Sequence, residues 1–358
     1  MPDPLEKTTR KERITPQLVE AGWKESPHSF EEEHYFTDGR IQVVGGRARR
    51  GDQKFTDYLL RYRRDFALAV VEAKRERKIA GTGLQQAKEY AEILDLPFAY
   101  STSGGQIIEF DYLTGEERVL DHFPSPNELF ARYQADHDLS DDTSERLLTP
   151  HEIFDGLTPC YYQRIAINRT VEAVLDETQR LLLTMATGTG KTLVAFQICW
   201  KLWKSKWNRD GDPVKRPKIL YLADRNVLVD DPKDKQFAPF GDARHKIQRG
   251  NVVKSREMYF AIYQAIAEDE RRDGLYKEYD PDFFDLVVVD ECHRGSARDE
   301  SRWREILEYF APAYQLGMTA TPRREDNRDT YRYLNLRRHL LFDCCMGSDH
   351  SDHSHNGV

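Results

Sequence analysis

The sequence has little of what would tie it to a membrane or to an oxidising compartment. No apolar run approaches the roughly 20 residues that a bilayer-spanning helix needs; the longest, around Leu286 to Val289, has the length of a strand. The opening stretch, Met1 to Lys11, is charged and lacks the apolar segment of a secretory signal, so nothing suggests export and a cytoplasmic location is expected. The five cysteines (Cys160, Cys199, Cys292, Cys344, Cys345) are few, scattered and without a C-x-x-C pair, which excludes a disulfide scaffold and reads as reduced thiols. An excess of positive charge is lacking too: 53 Lys and Arg stand against 61 Asp and Glu, leaving −8. That sign does not favour nucleic acid as a partner, but binding follows local fields rather than the average.

What is present is enough for a packed protein. Of 358 residues, 39% are hydrophobic and 32% charged, giving a core of ordinary size under an ionic surface. At about 150 residues per domain the length predicts two domains and a remainder. Ile14 to Trp23 reads as a short amphipathic helix closed by Gly22, followed by acidic Glu31 to Glu33. From Arg40 to Lys78 there are twelve basic and five acidic residues, a local charge of +7; such a run is either a solvated strand edge or a surface for phosphates. Phe55 to Tyr62 and Phe66 to Lys74, separated by Arg63 to Asp65, predict a hairpin. Leu84 to Leu94 reads as a helix, and 98 to 123 as a second meander with turns at Ser103 to Gly105 and Thr114-Gly115.

Composition then turns polar and acidic through Asp136, Asp138, Asp141 and Asp142, which predicts a linker over 136–150. Beyond it, helical segments alternate with apolar strands at Arg180 to Met185, Lys218 to Ala223, Leu286 to Val289 and Tyr314 to Met318, the pattern of a parallel sheet wrapped by helices. There is no internal repeat. The end, Asp343 to Val358, is polar and rich in His (His350, His353, His355), with no periodicity that would pack it.

Two constellations carry chemistry. In Met185-Ala186-Thr187-Gly188-Thr189-Gly190-Lys191-Thr192 a glycine loop follows a strand and precedes the helical run Leu193 to Trp203. Gly188 and Gly190 let backbone N–H groups turn toward phosphates, Lys191 reaches the outer phosphates, and the Thr192 hydroxyl can ligate Mg²⁺. About a hundred residues on, a strand ends in Asp290-Glu291-Cys292-His293. Asp290 there could hold the Mg²⁺ through water and Glu291 could activate the attacking water, although an Asp-Glu pair is also a common solvated turn. Cys292 and His293, adjacent and without a second ligand pair, do not make a tetrahedral zinc site.

The second constellation lies on the hairpin, with Asp57 on one strand and Glu72-Ala73-Lys74 on the other. Period-two alternation puts Glu72 and Lys74 on one face, where Asp57 meets them across the ladder. Asp57 and Glu72 could bind Mg²⁺ while Lys74 polarises a water attacking a phosphodiester; strand-exit Glu-Lys pairs are frequent, so the bland reading stays beside this one. Gln86 and Tyr90, four apart, share a face of the next helix.

The set Gln163, Thr187 to Thr192, Asp290 to His293 and Thr319 to Thr321 resembles the first RecA-like domain of superfamily 2 helicases and translocases. That resemblance implies that Gln163 reads adenine, that Ala223-Asp224-Arg225 lies near the DNA backbone, and that Thr319 to Thr321 couples nucleotide state to domain movement. Asp57, Glu72-x-Lys74 and Gln86-x-x-x-Tyr90 resemble the PD-(D/E)xK nucleases of the RecB-like type, with Thr56 where that pattern has Pro; Glu20 is a further acidic candidate. Joined in one chain, and with Glu20-Ala21-Gly22-Trp23 and Val70 to Lys74, they resemble the restriction (R) subunit of type I restriction-modification enzymes over residues 10 to about 335.

The resemblance implies an α/β architecture: a restriction-endonuclease-like nuclease domain at 1–135, the acidic linker, and a RecA-like parallel-sheet P-loop domain at 151–342, with 343–358 an aberrant tail from truncation or frameshift. It implies a type I site-specific deoxyribonuclease that uses ATP and Mg²⁺ on double-stranded DNA, with modification and specificity subunits as partners and no membrane. That family carries a second RecA-like domain that this sequence lacks. An arginine finger from such a domain is worth about 10³ to 10⁵ in rate, so weak ATP·Mg binding, slow hydrolysis, no translocation and modest metal-dependent cleavage are expected. The other reading that stays open is an inert remnant or a nucleotide-dependent DNA-binding module.

Overall fold

The structure is a computed structural model that describes residues 4–37, 41–44, 47–50, 53–74, 81–223, 227–247, 252–267, 274–290, 304–320, 324–325, 328–329 and 340–341. Glu291 to His293, Asp224-Arg225, Thr321 and the tail 343–358 therefore lie outside the described residues. No helix among those described is long and apolar enough to cross a membrane.

A π-helical turn, Arg10–Ile14, runs into helix α1, Thr15–Glu20. Ile14 and Leu18, four apart, are fully buried, and the chain leaves the helix through Gly22 at φ +91°, a conformation that costs glycine nothing. The first sheet follows in sequential order: β1 (Ser29–Thr37), β2 (Gln53–Arg63), β3 (Phe66–Ala73), β4 (Phe98–Thr102), β5 (Ile107–Asp111) and β6 (Glu116–Leu120). β2 and β3 are the expected hairpin. Helix α2 (Gly81–Leu94) carries the chain over to β4, which pairs parallel to β3; every other neighbour in this sheet is antiparallel. β1 was not legible, because its acidic run Glu31 to Glu33 masks the alternation: Phe36 and His34 are buried while Glu31 to Glu33 face the charged groups described below.

The expected linker is a correction. After α3 (Pro126–Asp136), residues Asp141–Leu147 form helix α4, capped by Ser140, whose Oγ accepts from the Thr143 N–H at 3.1 Å. Ser144, Leu147 and Leu148 are buried, and Gln134 Nε2 donates to Ser144 Oγ at 2.8 Å. The acidic residues that suggested a linker, Asp141 and Asp142, sit in the first turn, where the exposed N–H groups favour negative charge.

The second sheet contains β7 (Arg180–Thr184), β8 (Ile219–Ala223), β9 (Arg244–Lys246), β10 (Met258–Ile262), β11 (Leu286–Asp290), β12 (Tyr314–Thr319) and β13 (Leu340–Leu341), in the order β9-β10-β8-β11-β12-β7-β13, with every pair parallel. β9, β10 and the two-residue β13 add to the four strands predicted from sequence. Both faces are covered, as parallel sheets require. Leu181, Leu183, Tyr221 and Val288 enter a core shared with helices α5 (Tyr161–Leu175) and α6 (Lys191–Lys204), while Leu182, Leu220, Leu222 and Val289 pack on the other side with Phe284, Ile306 and Phe310.

The core that holds α5 and α6 is continuous with one face of the first sheet, through Phe130, Tyr133 and Leu147. A polar junction seals the contact at the hairpin tip. Arg64 Nη2 donates to the His151 carbonyl at 2.6 Å, Asp65 Oδ2 accepts from the His151 N–H at 3.1 Å, and Asn168 Nδ2 donates to the Asp65 carbonyl at 3.4 Å. Lys201, on α6, donates to Asn168 Oδ1 at 3.0 Å. The strand pair bearing Asp57 and Glu72 is thus pinned to the helix that starts at the phosphate loop.

Candidate functional site

The hairpin gathers the expected side chains. Glu72, near the end of β3, is 2% exposed, and its Oε1 accepts from the Asp57 N–H at 3.4 Å. Asp57 Oδ2 accepts from the Ala73 N–H at 2.8 Å. Each acid is therefore oriented in part by a backbone N–H of the other's strand. Lys74, just past β3, puts Nζ 3.7 Å from Glu72 Oε2 and donates to Gln86 Oε1 at 3.0 Å, and Gln86 Nε2 donates to the Tyr90 hydroxyl at 3.0 Å. Burial pushes the Asp57 carboxyl up from its usual range, opposed by the Ala73 N–H and by the charges of Arg10 and Lys74. Burial likewise raises the Tyr90 hydroxyl.

Three residues that the sequence reading did not assign to this cluster complete it. Arg10, on the π-helical turn, reaches Asp57 Oδ1 at 3.1 Å and Glu33 Oε1 at 3.2 Å, with its guanidinium over the Tyr58 ring. Glu32 pairs with Tyr58 and His34 with Thr56, which sets Glu33 opposite Asp57; Glu33 holds a left-handed φ of +54°, a strained state for a non-glycine residue that recurs at functional sites. Gly83, in α2, is required by close packing, since a Cβ there would lie 2.4 Å from Ser101 Oγ and 2.6 Å from Lys74 Cε. Glu20, at the end of α1, is exposed.

Gly83→Ala should therefore gain about 1 kcal/mol of helix propensity yet push Lys74 from its place. The expected result is a nearly unchanged thermal midpoint with Lys74 displaced from Gln86, seen as loss of their 3.0 Å contact in a crystal structure of the variant; an undisturbed contact would refute the fit.

The basic zone is less open than its composition suggests. Among its described side chains Lys54 pairs with Glu89, Arg61 with Glu31 at 2.7 Å and Arg64 with Asp65 at 2.8 Å, while Arg63 approaches Glu145 at 3.8 Å.

The phosphate loop, between β7 and α6, has the predicted backbone. Gly188 and Gly190 adopt φ of +78° and +83°, and nothing lies within 4 Å of where a Gly188 Cβ would be. Lys191 is buried at the start of α6 with Nζ 3.4 Å from the Met185 carbonyl, and Thr192 is half-buried beside it. Thr187 is exposed. Thr189 Oγ1 donates to the Ala186 carbonyl at 2.6 Å, and the Met185 N–H donates to the Thr319 carbonyl at 2.9 Å, tying the loop to β12. Gln163 packs on the loop: its Oε1 accepts from the Cys160 N–H and its Nε2 donates to the Thr189 carbonyl, each at 2.8 Å. A Cβ on Gly190 would fall 2.4 Å from that Nε2. Asp290, buried at the end of β11, accepts from the Tyr221 hydroxyl at 2.6 Å.

The ResIII family model, described as the res subunit of type III restriction enzymes, matches residues 156–324. The endonuclease subunit of the type I restriction enzyme EcoAI from Escherichia coli is 42% identical over 328 residues, spanning 87% of this chain and 38% of that protein. A solved fragment of an HsdR subunit of a type I restriction enzyme from Vibrio vulnificus YJ016 is 55% identical and superposes with a TM-score of 0.78 over 93% of this chain and 58% of its own. The chain is a homologue of type I restriction endonuclease subunits. Its second sheet is the RecA-like, helicase-like part, which the family model covers from β7 to β12. The likeness of this homologue to the EcoKI endonuclease subunit of Escherichia coli (strain K12) is lower, 28% over 188 residues, or 45% of this chain and 15% of that protein. The homologue spans less than two thirds of each of these relatives.

Proposed function

We propose that the homologue cleaves DNA phosphodiesters at the hairpin, with Mg²⁺, and binds ATP at the phosphate loop, its nuclease part being residues 1–135 and its nucleotide-binding part 151–342. The observation that carries this reading is the reciprocal seating of Asp57 and Glu72 with Lys74 beside them.

The side chains suit both groups. Two carboxylates, rather than a cage of three or more, are how Mg²⁺ is commonly held by enzymes that act on phosphates; among the described residues no group of three or more His, Cys, Asp or Glu is arranged as a metal cage. Asp57 and Glu72 would hold the ion, which supplies Lewis-acid stabilisation of the developing negative charge. Lys74, fixed by Gln86 and in turn by Tyr90, would orient the attacking water. At the phosphate loop the open space at Gly188 and the buried Lys191 suit a triphosphate, with Gly190 letting Gln163 approach. Thr192 and Asp290 would be oxygen donors for its metal, Glu291 would activate water, and Gln163 would turn from Thr189 to reach the base. Duplex DNA and, in the full-length relatives, modification and specificity subunits are the partners this reading implies.

Supercoiled plasmid incubated with the chain and Mg²⁺ should yield nicked circles, and chelation by EDTA should abolish them. A wild-type preparation giving no metal-dependent product would overturn the proposal.

A further inference from the structure

We infer that a basic cavity on the outer edge of the second sheet is a separate contact surface for the DNA backbone. The inference rests on the reading of this homologue as a protein that acts on DNA.

The cavity, of about 630 Å³, is lined by Lys233, Asp242, Arg244, Lys246 and Arg256, with Gly241 and His245. Lys233 comes from helix α7 (Val227–Asp234), Asp242 from the 3₁₀ turn Ala238–Ala243, Arg244 and Lys246 from β9, and Arg256 from the approach to β10. In the order β9-β10-β8-β11-β12-β7, four strands separate β9 from the strand that leads into the phosphate loop. Residues two apart on a strand share a face, so Arg244 and Lys246 lie on one side, about 6.6 Å apart along the strand. That length matches about two phosphates of one DNA strand, at about 3.4 Å of axis each.

The charge survives its local hydrogen bonds. Arg244 Nε donates to the Gly241 carbonyl at 3.0 Å and Nη1 to the Lys233 carbonyl; Arg256 Nη1 donates to the Asp242 carbonyl at 2.5 Å. Carbonyls orient guanidinium groups but do not neutralise them. Among the described residues the carboxylates nearby are Asp242 and Asp234, which pairs with Lys233 and lies 4.0 Å from Arg244 Nη1. Among the described residues, four cations against these two carboxylates leave a surplus of two positive charges, in a chain whose net charge is −8. An open, cationic concavity built from guanidinium and ammonium groups fits phosphate, and its spread over three elements fits a backbone track rather than one small anion.

The test is binding of a fluorescein-labelled duplex by the full chain, read by anisotropy in EDTA between about 50 and 200 mM KCl, for wild type and Lys246→Ala/Arg256→Ala. The double variant should lose about tenfold or more in affinity, and its plot of log affinity against log salt should flatten by about 1.8, since each phosphate contact contributes about 0.9. An unchanged thermal midpoint excludes misfolding; a misfolded double variant is replaced by Lys246→Gln alone, with an expected flattening of about 0.9. Binding by wild type with an unaltered slope in the variants overturns the inference and leaves the DNA reading standing. Inorganic tripolyphosphate competing with duplex at low micromolar concentration in wild type and not in the variant also overturns it, marking a site for small polyphosphates. Absence of duplex binding by wild type overturns it as well, while the plasmid nicking assay reports on the DNA reading separately.

Discussion

Glu72→Gln is expected to abolish metal-dependent plasmid nicking, with a fall of at least about 10³. The substitution keeps the shape of a side chain that is 2% exposed and keeps an oxygen able to accept the Asp57 N–H. What it removes is one negative charge at the place where Asp57 and Glu72 converge. A metal ion contributes several kcal/mol of transition-state stabilisation, and about 4 kcal/mol corresponds to about three orders of magnitude. A purely structural Glu72 would behave differently. It would lose its ion pair with Lys74, 3.7 Å away, so stability would drop while Mn²⁺ binding, measured by calorimetry, stayed as in wild type. The catalytic reading predicts the reverse, namely loss of Mn²⁺ binding together with nicking. Nicking within tenfold of wild type would sink the assignment of Glu72 to metal binding.

The hairpin was legible because its signal is local. Strand alternation places Glu72 and Lys74, and the short turn fixes the register that brings Asp57 to them; Gln86 and Tyr90 follow from helical spacing. The phosphate loop was legible because strand, glycines and helix are contiguous. Arg10 was not, since it meets Asp57 across 47 residues, on a π-helical turn that no periodicity announces. Gly83 reads as a weak helix residue until the Lys74 stem is seen beneath it. The stretch 136–150 misled because acidic composition marks a linker and a helix N-terminus alike, and only Leu147 and Leu148 hint at burial. β9 and β10 were missed because one is three residues long and the other is a continuous apolar run that periodicity cannot separate from a helix. Gln163 was placed at adenine by resemblance, and its hold on Cys160 and Thr189 needed coordinates.

Stability should climb by several kcal/mol as pH rises from 5 to 9, through two groups at the hairpin junction. Burial lowers the His151 imidazole to about 3, helped by the Lys201 charge and opposed by Asp65, and neither ring nitrogen has a hydrogen-bond partner among the described residues. Burial lowers the Lys201 ammonium to about 7, opposed by Asp65. Both are bases whose folded value is depressed, so the unfolded chain binds protons more readily. The His151 contribution is complete above the ordinary value of 6.5 and lost as pH falls toward 3; that of Lys201 is complete above 10.5 and lost as pH falls toward 7. At 1.36 kcal/mol per pKa unit each window is worth on the order of 5 kcal/mol, with overlap because each charge opposes the other. Lys201→Met should flatten the climb above pH 7 and stabilise the chain at pH 7 by a few kcal/mol, since burial disfavours the ammonium by about 1.36 kcal/mol per pKa unit, although Asn168 loses its donor. Urea denaturation of both proteins at pH 5, 7 and 9 decides it. An unchanged pH slope, or a destabilised variant at pH 7, would show that the ammonium at the base of α6 is satisfied as a cation, and the junction that pins Asp57 and Glu72 to the phosphate-loop helix would owe its strength to charge rather than to its exclusion.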